Sequence, residues 1–148
     1  MRIIYNPKEL LITKLINRYD IAGKTLEMLN RSLTKLQQSQ FEDYEELRDA
    51  IFQRFKYSVD TFWKYLNEYL KSEKSIKIPA PRPKSVFREC SEIGLISKDE
   101  YLLCVGLIDD RNETSHGYNE DLAEEIASHI PKHYEVMHDI LEKVIPKK

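Results

Sequence analysis

Apolar positions in the second third of the chain repeat with the period of a helix. Phe55, Val59, Phe62, Leu66 and Tyr69 are separated by alternating intervals of four and three residues. Because an α-helix turns once in 3.6 residues, these intervals place the five side chains on one stripe. The pattern predicts a helix over residues 43–72 that buries this stripe in a core or against a partner.

Further aromatic residues lie beside the stripe. Trp63 and Tyr65 flank it and are expected at an interface rather than inside the core. Aromatic side chains on one helix can also form a platform on which bases stack. For Phe55 and Phe62, the stripe favours core and dimer packing.

The N-terminal and central segments show different signals. Residues 7–38 predict one long helix or two shorter ones, because the apolar period is imperfect near residues 19–23. Three prolines within residues 79–83 cannot continue the second helix, so a basic connector follows it. Pro83 suits the first position of a short helix, and Gly94 suits its left-handed end.

A capping box marks the next helix. Ser97 followed by Glu100 predicts a start at Lys98. Gly106 inside this helix predicts close approach of another helix or a ligand, since glycine costs about 1 kcal/mol relative to alanine there. The side chains expected to point inward are Tyr101, Leu102, Val105 and Ile108.

Asn119 is expected to cap a last helix, and Pro131 predicts a kink within it. The buried face of that helix is expected to comprise Leu122, Ile126, Ile130, Met137, Ile140 and Val144. The whole pattern predicts an all-α protein: one domain over residues 1–148, folded as an antiparallel up-and-down bundle of about five helices.

Composition narrows the class of protein. The 148 residues carry 23 Lys+Arg and 25 Asp+Glu, so net charge gives no global indication of nucleic acid binding. No apolar run approaches the roughly 20 residues that a membrane span needs, and no signal-like segment begins the chain. Cys90 and Cys104 have no metal-type spacing and suggest reduced thiols. These features predict a cytoplasmic protein with no membrane partner.

The segment 109–120, DDRNETSHGYNE, combines residues suited to phosphate chemistry. The Arg111 guanidinium can hold phosphate oxygens bidentately, the His116 imidazole can transfer a proton, and Tyr118 adds a hydroxyl. Five residues along a helix separate two side chains by roughly 140°, so Arg111 and His116 converge only if the helix loosens before His116. Gly117 makes such loosening easy. The simpler alternative is a polar helix end followed by a turn.

A metal site is a weaker candidate. His129 and His133 lie one helical turn apart, with Glu125 a turn earlier on the same face. Unpaired histidines on a solvated face are far more common, and Pro131 distorts the spacing. The sequence therefore predicts neither a metal nor a cofactor.

RNETSHGY resembles the Arg-x4-6-His signature of HEPN (higher eukaryotes and prokaryotes nucleotide-binding) domains, in the Arg-x4-His-x-Tyr form of their HepT-like branch. The segments QRFKYSVDTFWKYLNEYL, RPKSVFRECSEIGLIS and LIDDRNETSHGYNEDLAEEI are similar to segments of the nucleotidyltransferase substrate-binding proteins, in the same order. The resemblance is strongest over residues 45–145.

This resemblance implies a role for each motif residue. Arg111 would bind the scissile phosphate, and His116 would act in acid–base transfer on the ribose 2′-hydroxyl. Together they would cleave RNA without a metal, with Asn112 as a supporting residue. Tyr118 matches the tyrosine to which a cognate minimal nucleotidyltransferase (MNT) antitoxin transfers AMP.

The resemblance also implies partners. Family members are bundles that dimerise, so that the motifs of two subunits meet in one cleft. The chain would be the toxin, an endoribonuclease, of a type VII-like MNT/HEPN toxin–antitoxin pair. The alternative is a non-catalytic subunit that binds substrate for a nucleotidyltransferase.

Charge bears on this choice. Residues 109–125 carry seven acids and one arginine, whereas RNA binding draws on a basic surface. Lys84 and Arg88, together with Lys74, Lys77 and Arg82 of the basic connector, are therefore the candidate RNA-binding residues.

Overall fold

The computed structural model describes residues 6–38, 41–114 and 119–147. All regular structure in these ranges is helical, and a 3-10 turn at Phe41–Asp43 precedes the second helix. The predicted all-α bundle with five helices is confirmed. The helices are α1 (Pro7–Gln37), α2 (Tyr44–Lys74), α3 (Pro83–Glu92), α4 (Lys98–Glu113) and α5 (Glu120–Lys143).

The two longest helices, α1 and α2, form an antiparallel hairpin. Lys14 near the start of α1 lies 3.0 Å from Glu68 near the end of α2. The hydroxyls of Thr25 and Thr61 are 2.9 Å apart midway along the pair. The start of α1 therefore lies beside the end of α2, so the two helices are antiparallel, as an up-and-down bundle requires.

The helices α4 and α5 form a second antiparallel pair. The Lys143 ammonium donates to both Glu100 carboxylate oxygens at one end, at 2.7 and 2.8 Å. Asp110 contacts His133 at the other end. Helix α2 contacts each of the other four helices, so it is the centre of the bundle.

The core follows the apolar stripes closely. All five side chains of the predicted α2 stripe are buried, and so are five of the six expected on α5, Leu122 being only partly buried. Cys90 and Cys104 are both free and fully buried. Burial raises the pKa of the Cys90 thiol to about 12, so both cysteines pack as small apolar residues.

The residues predicted to cap, begin or end helices do so in the structure. The Ser97 hydroxyl accepts from the Glu100 amide at 3.0 Å, and the Glu100 carboxylate accepts from the Ser97 amide at 2.9 Å. The Asn119 side chain accepts from the Leu122 amide at 3.1 Å. Pro83 begins α3, and Gly94 has a φ of 77°, the left-handed conformation expected after a helix.

Two expectations about packing are wrong, and a third is wrong in part. Leu102 is 58% exposed, because the buried positions of α4 are Cys104, Leu107 and Ile108. Tyr65 is fully buried rather than interfacial, and its hydroxyl donates to the Val144 carbonyl. A Cβ at Gly106 would meet no atom of the described residues within 4 Å, so none of the described helices requires that glycine, and close approach of a ligand there stays a prediction.

Of the two alternatives for residues 7–38, the structure has one long helix. Helix α1 continues through Gly23, because Ala22 and Leu26 are buried on either side and Tyr19 packs edge-on against Tyr65. Helix α5 includes Pro131, and the kink expected there stays a prediction. Within the three described ranges, no helix is long and apolar enough to cross a membrane.

Candidate functional site

Arg111 lies on the last turn of α4 and is held by a carboxylate of α2. Its Nε donates to Asp60 Oδ1 at 3.2 Å, and its Nη2 donates to Asp60 Oδ2 at 3.1 Å. This bidentate pair fixes the plane of the guanidinium. Two of the five N–H donors of the guanidinium bond Asp60, and the other three bond none of the residues that the structure describes.

A cleft of about 450 Å³ opens beside Arg111, between α2, α3 and α4. Arg82 and Lys84 come from the end of the basic connector and the start of α3, and Trp63 from α2. The fold thus brings part of the basic connector to the motif arginine. The remaining lining residues are Asp60, Pro83, Ile108, Arg111 and Asn112.

The charges in this cleft are partly neutralised. The Lys84 ammonium donates to Asp109 at 2.7 Å, and Asp60 pairs with Arg111. The cations Arg82, Lys84 and Arg111 therefore face two carboxylates. Arg88 lies exposed one turn further along α3 and is absent from the lining.

The motif spacing requires the helix to be interrupted between Arg111 and His116, and α4 ends within this interval. Helix α4 ends at Glu113, and the Thr114 hydroxyl donates to the Arg111 carbonyl at 2.7 Å. The helix thus stops before it reaches His116. His116 and Tyr118 lie outside the described residues, so their convergence with Arg111 stays a prediction.

A buried arginine fixes the other end of the motif segment. Arg48 of α2 is 3% exposed, and its guanidinium donates to Glu120 and Glu124 in the first turns of α5, at 2.7 to 3.0 Å. The Tyr44 hydroxyl donates to Glu124 at 2.6 Å. These contacts, which we call the Arg48 clamp, hold the start of α5 against α2. Hydrogen bonds from the Tyr44 hydroxyl and from Arg48 hold the pKa of Glu124 below its usual range.

Sequence reasoning missed this clamp, although a signal was available. Arg48 lies three and seven residues before Ile51 and Phe55, which are buried on the same helix. A charged residue on an apolar stripe indicates either that the buried face has been assigned wrongly or that the charge forms a buried ion pair. The partner acids lie more than 70 positions away, where local pattern gives no information.

The sequence suggested that the two histidines of α5 are unpaired on a solvated face. In the structure both contact Asp110. His133 Nε2 is 2.6 Å from Asp110 Oδ2, and His129 Nδ1 is 2.9 Å from the same oxygen. His133 is buried and stacks on Phe55 with 5.4 Å between ring centroids. Asp110 of α4, rather than Glu125, is the acid of this cluster.

Comparison with known proteins places the chain in a family. Residues 17–145 match the family described as nucleotidyltransferase substrate binding protein like. The crystal structure of a protein from Thermus thermophilus is similar, with 33% sequence identity and a TM-score of 0.74. That match covers 84% of this chain and 98% of the Thermus chain. A comparison with curated proteins gives no match.

The family match spans α2 to α5 and most of α1, and therefore includes Arg111, its partner Asp60 and the cleft beside them. The similar crystal structure supports the same helical fold over most of the chain. The chain belongs to the nucleotidyltransferase substrate-binding-like family, which is related to HEPN domains.

Proposed function

We propose that this protein is the HEPN partner of a separately encoded minimal nucleotidyltransferase, and that it cleaves RNA without a metal at Arg111 and His116. Its family supports the first part, since the family is named for binding substrate for nucleotidyltransferases. The observation that carries the second part is the cleft in which Arg111 lies beside Lys84, Arg82 and Trp63.

The cleft suits a phosphodiester flanked by a base. The donors of Arg111 that Asp60 leaves unused can hold two phosphate oxygens, and Lys84 and Arg82 add positive charge beside them. Trp63 offers an aromatic face, and stacking of a base on such a face contributes about 1–3 kcal/mol. Arg111 would stabilise the charge on the scissile phosphate.

His116 would supply proton transfer to and from the ribose 2′-hydroxyl and the leaving oxygen. An unperturbed histidine titrates near pH 6.5, where it can act as either acid or base. Asn112 lines the same cleft and is exposed, so its amide can help to orient the phosphate. Pairing of two subunits would bring two such sites together in a homodimer.

Tyr118 would be the regulatory position. Transfer of AMP from the partner enzyme to its hydroxyl would add a phosphodiester-linked nucleotide two residues from His116. The added negative charge and bulk would exclude RNA from the cleft. The nucleotidyltransferase would thus act as the antitoxin.

The cleavage proposal is tested with protein purified free of any partner, in the presence of EDTA. RNA should be cleaved by the wild type, and Arg111→Ala or His116→Ala should reduce cleavage at least about 1,000-fold, since each removes a group required in the transition state. Arg31→Ala is the matched control, because Arg31 is an exposed arginine of α1 paired with Glu27. Cleavage that survives both motif substitutions would overturn the assignment.

The regulatory proposal is tested by co-expression with a minimal nucleotidyltransferase and measurement of the intact mass. One or more AMP units should map to Tyr118 and be absent in Tyr118→Phe. Tyr57→Phe controls for exposed tyrosines, since Tyr57 is 66% exposed on α2. AMP found on Tyr57, or an unmodified chain after co-expression, would contradict the role of Tyr118.

A second candidate is a non-catalytic subunit that binds substrate for the nucleotidyltransferase. It is favoured by the pairing of Arg111 with Asp60 and of Lys84 with Asp109, which reduces the net positive charge of the cleft. This candidate predicts co-purification with the enzyme and nucleotide binding that depends on Arg111, without RNA cleavage by the unmodified protein.

A further inference from the structure

The cluster of Asp110, His129 and His133 joins the end of α4 to α5. Their nitrogen and oxygen atoms all lie within 4.8 Å of one another. We propose that these three residues bind one divalent transition-metal ion of the zinc class. The proposal reverses the expectation of no metal drawn from the sequence, and it does not depend on the proposed function.

The ligand types match that class of ion. Two imidazole nitrogens and one carboxylate oxygen are the donor set of many three-ligand zinc sites, in which a water or another ligand takes the fourth position. His129 and His133 are four residues apart on α5, so both rings project from the same face of the helix. Asp110 reaches the same point from a different helix.

Binding requires an adjustment of the exposed side chains. Asp110 Oδ2 lies 2.6 Å from His133 Nε2 and 2.9 Å from His129 Nδ1, and the ligand atoms of the two histidines lie within 4.8 Å of each other. Zinc bonds of about 2.0 Å in a tetrahedral arrangement place neighbouring ligand atoms about 3.3 Å apart. The carboxylate must therefore withdraw from both rings by roughly half an ångström and the two ring nitrogens must reach the same spacing, which rotation of the Asp110 and His129 side chains allows.

The cluster combines a fixed side with an open side. The His133 side chain is 8% exposed and stacks on Phe55, and its Nδ1 has no hydrogen-bond partner among the described residues. The ring is therefore held by packing, with Nε2 directed at Asp110. Asp110 and His129 are 18% and 45% exposed, so an ion can enter from solvent and keep a bound water.

A bound ion would act on the segment between the two helices. Asp110 precedes the end of α4 by three residues, and α5 begins at Glu120, so residues 114–119 connect the two helices that the ion would join. Binding would stabilise the contact between α4 and α5 beside Arg111. The metal would lie outside the Arg111 cleft, since none of its three ligands lines that cleft.

The test uses the full chain without an affinity tag, stripped with EDTA and then dialysed against Zn²⁺. Elemental analysis should find close to one zinc per chain, and Co²⁺ should give the visible absorption of a low-coordinate site. Zinc should also raise the melting temperature, because it binds the folded state preferentially. A chain that retains no zinc and shows no change in melting temperature would overturn the proposal.

Substitutions locate the site. His129→Ala removes an exposed ligand and should weaken zinc binding at least about tenfold while the protein stays folded. Asp110→Asn should do the same. His138→Ala is the matched control, since His138 lies on the same helix and is equally exposed, at 45%. Zinc affinity that is unchanged in His129→Ala and Asp110→Asn would mean adventitious binding and refute the site.

Discussion

The central helix α2 is buried in two different ways along its length. Near its C-terminus the helix is covered on all sides, since six consecutive residues from Tyr65 to Leu70 are buried. The longer part before Tyr65 alternates buried and exposed positions, and it presents Arg48 and Asp60 to charged groups of α5 and α4. The covered part stabilises the bundle, and the amphipathic part positions the candidate site.

The covered part of α2 also contains a buried charge. Glu68 is 3% exposed, and the cations Lys14, Arg18 and Lys71 lie within 3.0 to 3.8 Å of its Oε1. It is the counterpart of Arg48, with the signs reversed. Glu68 joins α1 to α2 far from the motif, whereas Arg48 fixes the helix that follows the motif. A buried charge paired with opposite charges therefore stabilises the fold at one end of α2 and holds the helix beside the candidate site at the other.

The largest expected effect is in the covered part of α2. Leu66→Ala should lower the free energy of unfolding by about 3 kcal/mol, because it leaves a cavity where a side chain was fully buried. Urea denaturation measures this loss. Tyr57→Ala, at an exposed position on the same helix, should change the free energy by less than about 0.5 kcal/mol. Equal losses at the two positions would refute the described burial of α2.

The Arg48 clamp should show a smaller and asymmetric effect. Glu120→Gln combined with Glu124→Gln leaves the buried guanidinium with only the exposed Asp49 carboxylate, at 3.9 Å, and should cost about 1–2 kcal/mol. Arg48→Met removes the buried charge and leaves two partly exposed carboxylates at a helix N-terminus, where they are favoured. It should cost less than the double substitution.

Urea denaturation of both variants checks this order. Arg31→Met, in an exposed pair of α1, is the control for removal of an arginine and should have almost no effect. A larger loss for Arg48→Met than for the glutamine pair would mean that packing of the arginine stem, rather than charge pairing, stabilises the start of α5.

These differences also explain what the sequence could predict. The capping box at Ser97, the Asn119 cap and the α2 stripe are local patterns, and each was confirmed. His133 lies three residues after Ile130 and four before Met137, so the buried stripe of α5 includes it. That position indicated a buried histidine, yet only the fold shows that Asp110 is its partner. Contacts between distant helices depend on packing geometry that no local spacing records.

Asp60 should act as a positioning residue for Arg111. Asp60→Asn keeps the side-chain shape but weakens the bidentate pair, so RNA cleavage should fall about tenfold through kcat. Binding of uncleaved RNA should not weaken, because a negative charge leaves the cleft. Both partners are partly exposed, so stability should change by less than about 1 kcal/mol.

Cleavage kinetics and RNA titrations separate the two quantities. Asp49→Asn is a control for loss of an exposed carboxylate on α2, since its side chain is 73% exposed. If Asp60→Asn raised KM and left kcat unchanged, Asp60 would take part in binding RNA instead of orienting Arg111.

The smallest effect is a dependence on pH at the Arg48 clamp. The pKa of Glu124 is lowered by its hydrogen bonds to Tyr44 and Arg48, so it lies below the ordinary glutamate value of 4.5. A carboxylate whose pKa is lower in the folded state stabilises that state above pH 4.5, and this contribution is lost as the pH falls through the folded pKa. Glu124→Gln should therefore reduce the loss of melting temperature between about pH 6 and roughly pH 3.5, compared with the wild type. Glu125→Gln, at the adjacent exposed position, should keep the wild-type dependence. If the two variants showed the same pH profile, pairing with Arg48 would contribute nothing to the stability of the start of α5.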